Sequence, residues 1–89
     1  MADITLEDVK STLREHILAE FLPGESPGSL RDDTPLRTSG VLDSLATIKL
    51  VDFIEKTYGI EFDPHEIGIE NFDSVVDIAA LVVRKSAAS

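Results

Sequence analysis

Leu6, Val9, Leu13 and Ile17 recur at the three- and four-residue spacing that lines one face of an α-helix. The spacing predicts a first helix over about Thr5 to Phe21. T-L-E-D, Thr5 to Asp8, has the form of a capping box at its start, and Pro23 with Gly24 stops it. Leu50, Ile54 and Tyr58 repeat the pattern with Val51 beside them, predicting a second helix from Asp43 or Ser44 to near Tyr58, closed by Gly59. Leu45, Lys49, Asp52 and Lys56 fall on its opposite face. A short helix is expected between Glu66 and Asn71. A last one opens at Ser74, where S-V-V-D again has capping-box spacing, and buries Val75, Ile78 and Val82. Arg84 and Lys85 suit its C-terminal end.

Between the first two helices lies P-G-E-S-P-G-S-L-R-D-D-T-P-L-R-T-S-G-V-L, with three prolines and three glycines. Connections of this length are usually functional or mobile. Leu30, Leu36, Val41 and Leu42 are the residues that would pin it to a core. The expected architecture is all-α: a small bundle of three main helices plus one short helix. It forms a single domain over residues 1–89, ordered from about 4 to 84, with residues 85–89 as a frayed tail.

Composition narrows the function classes. At 89 residues the chain has room for one thin core. It has no cysteine, hence no disulfide frame and no thiolate metal site. No apolar run approaches the roughly 20 residues of a membrane span, and M-A-D-I-T-L-E-D lacks the basic and apolar regions of a signal peptide. A cytoplasmic protein without a membrane role is expected. Eight Lys and Arg against seventeen Asp and Glu give a net charge of −9, which repels phosphate backbones and argues against nucleic acid as a partner. Proteins with basic patches are favoured instead. From Thr57 to Val83 there are six acids and no Lys or Arg.

Ser44 is the residue whose chemistry matters most. On its own it reads as a helix cap, since Asp and Ser are among the best caps. Yet it stands at a helix mouth, where unpaired N–H groups and the helix dipole tolerate a phosphate, and Leu45 beside it points to solvent. Catalysis is disfavoured: His16, His65 and several acids supply triad residue types, but no G-x-S-x-G elbow surrounds Ser44. His16 reads as a partly buried structural residue. D-P-H-E, Asp63 to Glu66, lacks the spacing and glycine of a calcium loop, so no metal is expected.

G-V-L-D-S-L, opening an amphipathic helix after a long loop in a short acidic helical chain, resembles the acyl and peptidyl carrier proteins. The resemblance runs from about Thr5 to Val83, and N-F-D-S-V, Asn71 to Val75, is similar to the family's junction between third and fourth helices. It implies a non-enzyme, monomeric, whose Ser44 receives 4′-phosphopantetheine from coenzyme A through a phosphopantetheinyl transferase. The arm's thiol then holds an acyl or aminoacyl group as a thioester. Asp43 would help the transferase dock, and Leu45 and Ile48 would meet partners: a loading ligase or acyltransferase and downstream synthase enzymes. A cofactor-free interaction module would use the same Leu45 and Ile48 face with Ser44 as a mere cap.

The chain departs from the family at one point. Carriers of dissociated fatty-acid synthesis usually bear acids two and five places after the serine, where this chain has Ala46 and Lys49. Asp52 and Glu55 remain further along. The resemblance therefore implies a docking face that includes Lys49 and Asp52 and serves a specialised pathway of polyketide or nonribosomal-peptide type.

Overall fold

The computed structural model describes residues 5–22, 24 and 30–88, and among these every regular element is helical. α1 spans Leu6–Phe21, α2 Ser44–Tyr58, α3 Ile69–Phe72 and α4 Val75–Ala88. The all-α bundle of three main helices expected from the periodicity is the fold. α1 packs along α4, and the core is filled from α1 by Val9, Leu13 and Ile17, from α2 by Leu50, Val51 and Ile54, and from α4 by Val75, Ile78 and Val82. Each such side chain, fully buried, contributes about 1.5–3 kcal/mol.

The helix ends follow the residues that were expected to make them. Thr5 Oγ1 accepts the Asp8 N–H at 3.2 Å, and Ser74 Oγ accepts the Asp77 N–H at 3.2 Å. Gly59 ends α2 with φ +67°, a left-handed conformation that a β-carbon disfavours. Pro23 and Ile4 lie outside the described residues. At the end of α1 the Leu22 N–H turns back to the carbonyls of Ile17 and Leu18. α4 continues past Arg84 to Ala88, and Lys85 reaches Glu66 at 2.8 Å.

Three details differ from the periodic pattern. Leu6 is 38% exposed and Tyr58 half-buried, because each sits on the outermost turn of its helix, beyond the partners that cover the same face further in. The single short helix expected between Glu66 and Asn71 is two pieces: a 3₁₀ turn over Pro64–Ile67 and the one-turn α3. Pro64 fits the first turn of the former, and Gly68, extended at φ −72° and ψ 170°, separates the two.

The long connection is anchored as well as apolar. Leu30, Leu36 and Leu42 are buried and Val41 half-buried. Asp73 holds the segment before α2: its carbonyl accepts the Leu36 N–H at 2.7 Å, and its carboxylate accepts the Arg37 and Thr38 N–H groups at 2.9 and 3.0 Å. These hydrogen bonds keep the Asp73 carboxyl below its ordinary value, the Thr38 N–H being the largest cause. Further back, Asp32 accepts from Lys10 at 2.7 Å and from Arg14, while its carbonyl takes the Val76 N–H at 3.1 Å. The connection is thereby tied to α1 and α4 on the way to α2.

Candidate functional site at the mouth of helix 2

The approach to α2 is a closed turn. The Leu42 N–H donates to the Leu36 carbonyl at 2.9 Å, and the Gly40 N–H donates to the Arg37 carbonyl at 3.2 Å. Gly40 has φ +90° with open space where a β-carbon would stand, so glycine is needed there for its backbone and not for room. With Asp73 behind it and Leu36 and Leu42 buried beneath it, this turn fixes where α2 begins.

Asp43 is the N-cap. Its carboxylate accepts the Ala46 N–H at 2.8 Å from an extended backbone (φ −76°, ψ −175°). Ser44 is the first residue of the helix proper, and its side chain is exposed. The capping role that the residue type of Ser44 suits is therefore filled by its neighbour. Among the described residues, the Ser44 hydroxyl makes no hydrogen bond. Thr47, one turn on, is buried and satisfies its hydroxyl on the Asp43 carbonyl at 2.8 Å. The result is a primary hydroxyl facing solvent over the N-terminal turn of a fifteen-residue helix, whose dipole favours a phosphate ester there.

Around that hydroxyl the remaining predicted residues divide into two groups. Leu45 and Ile48 are large apolar side chains, each 62% exposed. Ile48 lines a shallow groove of about 310 Å³ that also includes Ser44, Arg37, Thr47, Pro64, Ile67 and Gly68. Lys49 and Asp52, both exposed, line a separate groove of about 450 Å³ between α1 and α2. There Asp52 is ion-paired with Lys56 at 3.0 Å, and the His16 ring stacks on Phe53 with centroids 3.7 Å apart. Ala46 is half-buried. Asp43, Ser44, Leu45 and Ile48 thus cluster at the helix mouth, and Lys49 and Asp52 extend the surface along α2.

His16 belongs to the α1–α2 groove, which Ser44 does not line, and its flat stacking on Phe53 is a structural role. Asp63, His65 and Glu66 bring their side-chain ligand atoms within 4.8 Å of one another. Glu66 Oε1 is already taken by Lys85 Nζ and the Asp63 N–H, each at 2.8 Å, and these contacts hold its carboxyl below the ordinary value, with Lys85 the leading cause. Two features of this region had no sequence signal: Asp73 as the clamp on residues 36–38, and Arg37 in the groove beside Ser44. Neither follows a periodic pattern, since both depend on segments distant in the chain.

The chemistry at the helix mouth suits a covalent phosphodiester: an exposed hydroxyl, a helix N-terminus and a guanidinium in the same groove. Comparison with known proteins agrees on the nature of the cofactor. Residues 11–82 match the family described as "Phosphopantetheine attachment site". The chain is also 38% identical over 79 residues to the probable acyl carrier protein PigG of Serratia sp. (strain ATCC 39006), covering 89% of this chain and 90% of the relative. The chain belongs to the acyl carrier protein family, and is a carrier of covalent 4′-phosphopantetheine rather than a catalyst.

Proposed function

We propose that the Ser44 hydroxyl is the attachment point of the arm, and that the carrier serves a specialised polyketide- or nonribosomal-peptide-type pathway. One observation carries the assignment: Asp43 caps α2, so the exposed Ser44 hydroxyl, which makes no hydrogen bond among the described residues, stands open to a transferase. In the transfer, Ser44 Oγ forms a bond to the phosphorus nearest the pantetheine of coenzyme A. The bond to the nucleotide phosphate breaks, and the hydroxyl proton passes to the transferase. When attached, the arm supplies a thiol that holds cargo as a thioester. This chain supplies the anchor and the surface that brings cargo to each partner, raising its effective concentration there.

Asp43, Leu45, Ile48, Lys49 and Asp52 form the proposed docking face. Leu45 and Ile48 are the apolar anchors, and the charges around them act on encounter rate and on rejection of wrong partners. The partners are a phosphopantetheinyl transferase, an acyl- or aminoacyl-loading ligase or acyltransferase, and downstream synthase enzymes. The pathway reading is supported by Ala46 and Lys49, which replace acids that fatty-acid synthesis partners read with Arg and Lys. The protein works as a single-domain cytoplasmic monomer in this reading. No helix among the described residues is long and apolar enough to cross a membrane.

Incubation with coenzyme A and a promiscuous transferase tests the attachment site. Intact mass should rise by one phosphopantetheine in the wild type and stay unchanged in Ser44→Ala. Modification of the alanine variant, or a peptide map placing the arm on Ser39 or Ser74, would remove Ser44 from this role.

A further inference from the structure

Attaching a phosphodiester to Ser44 places a negative charge beside Asp43, in a chain that already carries a net charge of −9. The helix N-terminus offsets part of that repulsion. Arg37 offers a second, stronger compensation. Among the described residues it is the single charged one in the groove that Ser44 lines; the others are Thr47, Ile48, Pro64, Ile67 and Gly68.

The state of Arg37 is unusual for an arginine in this chain. It is half-buried, and among the described residues no carboxylate forms an ion pair with its guanidinium. Its one side-chain hydrogen bond there is from Nη1 to the Ile67 carbonyl at 3.2 Å. A guanidinium has five N–H donors in a planar fork, so most of its capacity remains for an incoming acceptor. Its backbone, in contrast, is fixed: the N–H donates to the Asp73 carboxylate at 2.9 Å and the carbonyl accepts from Gly40 at 3.2 Å. A partly desolvated cation held by its main chain, with donors to spare and no anionic partner, is suited to an anion that arrives later.

We propose that Arg37 is a positioning residue for the cofactor arm: its guanidinium receives the phosphodiester formed on Ser44 and draws the base of the arm toward the Ile48–Ile67 groove. The proposal rests on Ser44 being the attachment point. Charge-assisted hydrogen bonds from a guanidinium to phosphate oxygens are short and directional, and stronger than neutral ones. Arg37 thereby limits the directions in which the arm leaves the helix mouth, which a flexible ester beside an uncharged groove would not do.

Side-chain NMR of the apo and holo forms tests this without reference to activity. Intact mass first establishes that coenzyme A and a promiscuous transferase have modified the chain. The Arg37 Nε–Hε resonance should shift on conversion to the holo form, while those of the exposed Arg31 and Arg84 stay in place. The phosphodiester ³¹P resonance of holo Arg37→Gln should move to the position of a free phosphodiester. Holo Arg37→Lys should lie between the two, keeping the charge but losing the fork. Raising salt to about 1 M should shift the wild-type ³¹P resonance in the same direction as Arg37→Gln, since the partly exposed pair is screened. An Arg37 signal that does not move in a fully modified wild type overturns the proposal and leaves the attachment assignment standing. That result needs no variant to fold. A chain that gains no mass overturns both.

Discussion

Asp43 and Ser44 are adjacent, and the capping by Asp43 and the attachment proposed for Ser44 are roles that two single substitutions can pull apart. Asp43→Ala removes the carboxylate that accepts the Ala46 N–H at 2.8 Å and leaves that donor to water. Loss of an N-cap of this kind costs about 0.5–2 kcal/mol, with about 1 as the central value. The negative charge at the positive end of α2 is lost as well, typically about 0.3–1 kcal/mol where exposed. The two overlap, so about 1–2 kcal/mol in total is expected. In a domain of this size each 1 kcal/mol shifts Tm by roughly 4–8 °C, which makes the effect easy to read by thermal or urea unfolding. Ser44→Ala removes a hydroxyl that makes no hydrogen bond among the described residues, at an exposed position where alanine is a good helix former. Its stability should stay within about 0.5 kcal/mol of wild type.

Modification should show the opposite order. Ser44→Ala should take no phosphopantetheine at any transferase concentration. Asp43→Ala keeps the hydroxyl and should be modified to completion, more slowly, because the helix mouth frays and a charge of the proposed docking face is gone. Intact mass against time gives both rates. The reasoning fails if Ser44→Ala is destabilised as much as Asp43→Ala, for then the serine shares the cap and its exposure carries no message.

Lys49→Glu should slow loading by the native ligase or acyltransferase at low salt and less so at high salt, with stability nearly unchanged; equal rates at both salt levels would put Lys49 outside the interface. Leu45→Ala, at a position 62% exposed, should leave unfolding within about 0.5 kcal/mol but reduce loading, whereas Leu36→Ala, fully buried, should cost about 2–5 kcal/mol in urea unfolding. Asp73 has a carboxyl held below its ordinary value of 3.8, so its contribution is complete above that pH and is lost as pH falls through the depressed folded value. Acid unfolding followed by circular dichroism should accordingly be less steep below pH 3.8 for Asp73→Asn than for wild type.

The three long helices were legible because each announces itself twice, by an apolar face and by a terminus. Thr5, Asp43, Gly59 and Ser74 all act where their residue types place them. Periodicity gives the side of a helix that turns inward, but it does not say where the neighbouring helix stops. Leu6 and Tyr58 are therefore in register yet not fully covered. Thr47 was hidden for another reason: a polar residue reads as exposed until its hydroxyl is seen to fold back onto the Asp43 carbonyl. Between Glu66 and Asn71 the sequence predicts one short helix, whereas Gly68, extended, parts the region into a 3₁₀ turn and α3. At the site, the residues of α2 were readable from the helix alone, while Asp73 and Arg37 needed contacts spanning thirty positions or more.

Those long-range contacts explain how so small a domain keeps the proposed attachment position exposed and still well placed. Ser44 takes no part in the core or in the cap, so burial cannot fix it; its position is inherited from groups on either side. Asp43 fixes the first turn of α2 from within. The segment before it is fixed from outside by Asp73, through Leu36, Arg37 and Thr38, with Leu36 and Leu42 buried beneath. Neither anchor uses the Ser44 hydroxyl, so esterifying it breaks no hydrogen bond among the described residues. On the proposed attachment, the negative charge added at Ser44 would meet a helix N-terminus and an arginine without an ion-pair partner among the described residues, which favours a holo carrier that keeps the backbone of its apo form. A partner would then recognise the same Leu45 and Ile48 surface before and after modification, and tell the two states apart by the arm itself.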